Sequence, residues 1–356
     1  MTSLPSEIPE RLGKTAEVFS AYDTCLTLEK KLQLAFDKGD DVRDNLIYVR
    51  ILGYLIHYVP TDQGLESIIE EVRSCADADD SALFDVGKSY YDHFIRAFRA
   101  NRSPIQTSSD CASPPLVDTH TDKMNDSLEE VTKSHGGAKK KALVRDGYRC
   151  LVTKRYDETS VYKIPTVFNL ASADPNRKMG VTHCAHIFDE STDANIEKDE
   201  HERNYAATMW AVMQRFGYES IPDELNGSRV HRLENVMTLE STVHSRFDNL
   251  AIWFVATKGT PNRYKLEAKH PWFLDEYPEY VTFTTPDPVN LPVPSPIYLA
   301  IHAACAKVAH LSGAAKRIDD LYAEMEGCRT LDPDGASAML LEHAISELYA
   351  RTPLFE

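Results

Sequence analysis

Two short stretches hold the residues whose types could do chemistry together. They are Thr182–Phe188 (THCAHIF) and Arg232–Asp248 (RLENVMTLESTVHSRFD). The first offers His186 at the end of an apolar, strand-like run. The second offers Asn235 in a turn and His244 nine residues later, on an expected helix. Histidine, asparagine and histidine in that order suit metal-assisted cleavage of a phosphodiester. That reaction needs a base to activate water and a divalent cation to stabilise the leaving oxygen, and the base must be held in one orientation. Imidazole titrates near neutrality and suits the base, while a second imidazole can ligate a metal. An asparagine amide can hydrogen-bond backbone on both sides of a loop. Taken singly, each residue has an ordinary reading: a strand histidine, a turn asparagine, a helix histidine beside Phe247.

Elements must be found to position them. Up to about residue 100, apolar residues recur at i, i+3 and i+4, which predicts three or four amphipathic helices. Asp80–Ser81 is a candidate cap for the last, and His57 and His93 read as ordinary helix residues. Residues 102–138 are Ser-, Thr-, Asp- and Pro-rich with little periodicity, as in a linker. Lys139, Lys140, Lys141, Arg145 and Arg149 follow; they suit a nucleic-acid contact, a nuclear-import signal or a solvated helix start equally. Short strands are expected at Cys150–Thr153, 161–170 and 180–188, and an amphipathic helix at Asn204–Phe216, ended by Gly217. Glu224–Val236 reads as loop, and Leu239–Asp248 as a helix with Thr238 as its cap. Residues 250–256 and 262–268 read as two strands around a turn. After the Pro-rich Pro286–Pro296 passage comes a helical part of about 60 residues. Strand alternation turns His183 away from His186 and puts Cys184 on the same face as His186.

The chain of 356 residues carries a formal charge of −16, which argues against a protein coated along its length with nucleic acid but leaves room for one local basic face. Its seven cysteines (Cys25, Cys75, Cys111, Cys150, Cys184, Cys305, Cys328) include no C-x-x-C pair, so neither a disulfide framework nor a four-cysteine zinc site is implied. The polar N-terminus is unlike a secretory signal, and no apolar run approaches the roughly 20 residues that cross a bilayer. An intracellular protein, cytoplasmic or nuclear and with no membrane partner, is expected.

Arg145, Asp146, Tyr148, Cys150, Val152 and Thr153, then Ala185-His186-Ile187, then Asn235, Thr238, Leu239, His244, Phe247 and Asp248 make a three-part pattern over residues 140–270. It resembles the HNH endonuclease family, in the branch widespread in fungi. The resemblance implies a ββα-metal fold; with the flanks read from periodicity and composition, an α+β chain is expected, with that domain at 139–290, helical regions at 1–102 and 291–356, and a flexible linker at 103–138. It further implies His186 as general base, Asn235 as the loop-fixing residue, His244 as a metal ligand, and DNA as substrate. The expected ion is Mg²⁺ or Mn²⁺, with Zn²⁺ as the alternative. The 49 residues from His186 to Asn235 exceed a minimal hairpin, and the excess is the helix with Trp210 and Phe216, an insertion common in that branch. Two departures stand out. Ala185 occupies a position where many relatives carry an acidic ligand, leaving Asp189, Glu190 or Asp248 to supply one; Asp248 joins His244 in the expected ligand set. The paired C-x-x-C motifs of zinc-bearing relatives are absent. Two other functions fit the same residues: an HNH-fold enzyme acting on a small molecule, and a non-catalytic interaction protein with a vestigial site.

Overall fold

A computed structural model describes residues 2–9, 12, 15–75, 79–99, 134–189 and 209–327. Among the described residues helices mix with three small sheets, and the chain divides into two compact units. One is helical, from residues 1–100, 194–221 and 303–356. The other, central unit takes 101–193 and 222–302. No helix among the described residues is long and apolar enough to cross a membrane.

In the helical unit, α1 (Ala16–Asp37) buries Val18, Ala21, Tyr22, Cys25, Leu28 and Leu32, the stripe of a 3.6-residue period. Helix α2 (Arg43–Tyr58) is buried along most of its length. Helix α3 (Asp62–Ser74) is capped by Thr61, whose Oγ1 accepts from Gly64 N at 3.0 Å and donates to Phe216 O at 2.6 Å. Helix α4 (Asp80–Tyr90) runs through a π turn, Tyr91–Ile95, into α5 (Arg96–Arg99). The residue at the N-cap position of α4 is Asp79, one before the expected Asp80–Ser81. Helical residues 209–215 bury Met209, Trp210, Val212 and Met213, and Phe216 stacks on Tyr90 at 6.1 Å and meets Phe94 edge-on at 5.3 Å.

Gly87 on α4 lies against α2: a Cβ there would sit 2.6 Å from Tyr48 O and 2.7 Å from Tyr48 Cβ. Backbone cannot yield as a side chain can. Gly87→Ala is therefore expected to cost about 1–3 kcal/mol through overpacking, despite a helix-propensity gain of about 1 kcal/mol. A lower urea midpoint would register it; an unchanged or raised midpoint would show that the helices separate freely.

The central unit opens with α6 (His135–Arg145), capped by Ser134, whose Oγ accepts from Gly137 N at 3.2 Å. Strand β1 (Tyr156–Asp157) leads to the short helices α7 (Glu158–Lys163) and α8 (Pro165–Ala173), then to β2 (Met179–Gly180), which pairs parallel with β1. Buried Asp157 caps α7 through Ser160 N at 2.8 Å and accepts from Thr182 Oγ1 at 2.6 Å, joining the helix start to the next strand. Strand β3 (Thr182–His186) runs antiparallel to β4 (Val236–Glu240), with His186 opposite Val236, and α9 (Ser241–Asp248) follows β4 without a loop. A three-stranded antiparallel sheet follows: β5 (Ile252–Ala256), β6 (Arg263–Ala268) and β7 (Tyr280–Thr282). Helices Pro296–Ser312 and Ala314–Gly327 come after the Pro-rich passage.

Several local expectations are corrected. Residues 161–170 are helical, because Asp157 supplies a cap for α7 and Pro165 sits in the first turn of α8, where its missing N–H costs nothing. Cys150–Thr153 forms a turn closed by the Arg149–Tyr156 bridge. Leu239 and Thr238 belong to β4, and the residue at the N-cap position of α9 is Glu240. The expected loop at Glu224–Val236 contains two 3₁₀ turns, Gly227–His231 and Leu233–Asn235. Residues 135–138 form the start of α6. Ser134 of the expected linker is the cap of that helix, while residues 102–133 and residues 204–208 of the expected helix lie outside the described residues.

Candidate active site

Four features build the site. Strand β3 carries His186 to its end. Asn235 enters β4. Helix α9 carries His244 and Asp248 on one face, four residues apart, while Val243 and Phe247 are buried. The turn from β4 into α9 is pinned to the start of β3, where Ser241 N and Oγ donate to Val181 O at 3.0 and 3.1 Å.

Asn235 is fully buried. Its Oδ1 accepts from Phe188 N at 2.9 Å, and its Nδ2 donates to Phe188 O at 2.7 Å and to Val230 O at 2.8 Å. Its own carbonyl accepts from Ile187 N at 2.8 Å. One side chain thus clasps the exit of β3 to the turn that precedes β4. A second clamp lies behind it. Arg145 and Asp146 form a buried pair at 2.7 Å. The guanidinium also donates to Leu233 O at 2.7 Å, Val236 O at 2.9 Å and Pro292 O at 3.1 Å, while Asp146 accepts from Thr238 N at 3.1 Å.

Around these clamps five histidines gather. His186 Nε2 lies 3.1 Å from His231 Nδ1. The ring of His135 is 5.6 Å from that of His186 and 6.2 Å from that of His231. His183 lies 5.5 Å from His244 and hydrogen-bonds Ser241 Oγ at 3.0 Å. His244 Nε2 meets Asp248 Oδ2 at 3.1 Å, each side chain about a quarter exposed (25% and 26%). Cys184, on the other side of β3 from His183, is buried against Ala138, Ala142, Leu233 and Val236.

Burial and crowding lower three of these rings, His186, His244 and His183. Burial, then the nearby His135, His231 and His244, push His186 down to about 3. Burial, then His183 and His135, push His244 down to about 4. His183 is lowered by burial and by Lys139. Asp248 moves the opposite way, well above the ordinary carboxylate range, through burial and the charge of Asp189. At neutral pH His186 and His244 therefore each keep a lone pair, as a base or a ligand must.

Asp189, three residues beyond His186, is the acid that acts on Asp248 from the β3 side; Ala185 itself is buried in β3, paired with Met237. Glu190 lies outside the described residues. A cation at His244 and Asp248 would meet a neutral imidazole and a carboxyl whose charge is otherwise penalised, so these donors fit a divalent ion. Among the described residues no three His, Cys, Asp or Glu side chains are arranged to hold a metal by themselves. Mg²⁺ is commonly held by one or two protein groups, with water and substrate phosphate completing the shell, and Mn²⁺ favours the same oxygen-rich surroundings. Zinc sites draw on three or four protein ligands.

Residues 150–255 match the model of the HNH endonuclease family. Comparison with curated proteins and with solved structures finds no match. His186, Asn235, His244 and Asp248 all fall inside the HNH span, and the clamp pair Arg145–Asp146 lies just before it. The HNH match supports a nuclease-type function, and with it nucleic-acid binding and the divalent ion that HNH nucleases generally use. His135 and His231 went unnoticed in the sequence. The one signal for His135 was its place behind a helix-capping serine; His231 gave none beyond standing four residues before Asn235.

Proposed function

We propose that the chain is a divalent-metal-dependent endonuclease that hydrolyses DNA phosphodiesters at the His186–His244 cluster, with β3, β4 and α9 as its ββα-metal core. The observation that carries this reading is the convergence of His186, His244 and Asp248 on a strand pair clasped by Asn235 and a helix whose start Ser241 pins to Val181. In this reading His244 and Asp248 hold the ion, which when bound stabilises charge on the phosphate and leaving oxygens. His186 accepts a proton from water. The water oxygen forms a new bond to phosphorus as the bond to the leaving oxygen breaks. Charge supports the substrate assignment: within a chain of net −16, residues 134–189 hold ten Lys and Arg against five Asp and Glu.

Cleavage of supercoiled plasmid by the full chain tests the proposal. With Mg²⁺ or Mn²⁺ the plasmid is expected to be nicked and linearised, and an excess of chelator is expected to return the rate to background. His244→Ala and Asp248→Asn are expected to raise the Mn²⁺ concentration needed for half-maximal rate. Absence of cleavage with either ion, or cleavage indifferent to chelator, would overturn it.

A further inference from the structure

We infer that His231 is the positioning residue for His186, holding its Nε2 so that Nδ1 is the nitrogen left bare to take a proton. This rests on the reading of His186 as the base. The two rings lie 5.3 Å apart at 61°, with Nε2 of His186 and Nδ1 of His231 separated by 3.1 Å. One proton lies between the two nitrogens of such a pair, so one nitrogen donates and the other accepts. If His231 donated, His186 would carry its own proton on Nδ1 and have no lone pair for water. If His231 accepts, His186 carries its proton on Nε2 and Nδ1 is bare. Among the described residues Nδ1 of His186 has no hydrogen-bond partner.

The backbone sets this distance. Asn235 Nδ2 binds Val230 O, in the residue before His231, and also Phe188 O, two residues after His186. The same amide group therefore spaces the chain segments that carry the two rings. His231 is 8% exposed and ends the 3₁₀ turn Gly227–His231, so its ring has little freedom. His135 flanks His186 at an interplanar angle of 32° and closes a third side.

The test is ring-nitrogen NMR of the full chain with ¹⁵N-labelled histidine, the His186 signals being assigned by their loss in His186→Gln. In the wild type His186 is expected as a single tautomer, protonated at Nε2 and bare at Nδ1. In His231→Phe, which keeps a ring but offers no acceptor, both tautomers are expected. The kcat for plasmid cleavage is then expected to fall about 10- to 100-fold, with KM unchanged. His231→Asn, whose Oδ1 can accept in place of Nδ1, is expected to restore the single tautomer and most of kcat. A proton on Nδ1 of His186 in the wild type, or a wild-type tautomer and kcat in His231→Phe, would overturn the inference. If His231→Phe does not fold, the wild-type tautomer and the His231→Asn protein still decide it. If the wild type cleaves nothing, the nuclease reading fails, while the tautomer at His186 still answers for His231.

Discussion

His186→Ala is expected to lower kcat for plasmid cleavage by about 10²- to 10⁴-fold, the range attributed to a positioned general base. The fold is expected to survive. The backbone of residue 186 is held by pairing with Val236, and the clasp two residues on belongs to Asn235 and Phe188, not to the imidazole. His186 as a whole is half-buried, so its loss removes less packing than that of a core side chain. Single-turnover rates on plasmid, with a thermal melt of the same preparation, separate chemistry from folding. Equal rates in the two proteins would remove His186 from the base role even if the metal dependence held.

The second large effect is on stability. Arg145→Leu is expected to cost about 3–5 kcal/mol, the scale seen when one member of a buried ion pair is removed. The Arg145 and Asp146 side chains are 0% and 1% exposed. Without the guanidinium, the Asp146 carboxylate stays buried without its charge partner, and Leu233 O, Val236 O and Pro292 O lose a donor. An unfolding midpoint lower by about 10 °C follows for a unit of this size. Arg145→Leu combined with Asp146→Asn is expected to recover part of the loss, since a neutral amide can still accept from Thr238 N. A single variant within about 1 kcal/mol of wild type would be only a typical point-mutation cost and would show that water reaches the pair and solvates it.

What could be read in advance follows from what local sequence encodes. The spacing of His186, Asn235 and His244 was legible because a strand end, a turn and one helix face are local facts. The strand ahead of His244 was harder. Val236, Met237, Thr238 and Leu239 are all buried, so the run lacks the polar–apolar alternation that marks a half-exposed strand, and it merged with the helix that follows. Residues 161–170 misled in the opposite sense, because β-branched and aromatic residues in two short capped helices resemble a strand over so short a window. His231 and His135 were invisible for a different reason. A lone histidine has no sequence context; only the packing of β3 against its neighbours makes it the partner of another ring.

The helical stretch at 209–215 has a consequence for modularity. Its period announced a buried face, and that face, through Phe216, packs on Tyr90 and Phe94 in the helical unit. Yet the stretch lies in sequence between His186 and Asn235. The chain that carries the two halves of the candidate site leaves the central unit and returns to it, so the HNH span is not a cassette with clean ends. Excised alone, residues 150–255 would keep that apolar helix and lose its cover. Swapping one helical unit for another would therefore mean re-covering this insert as well, so the HNH span and the helical unit are exchanged together or not at all.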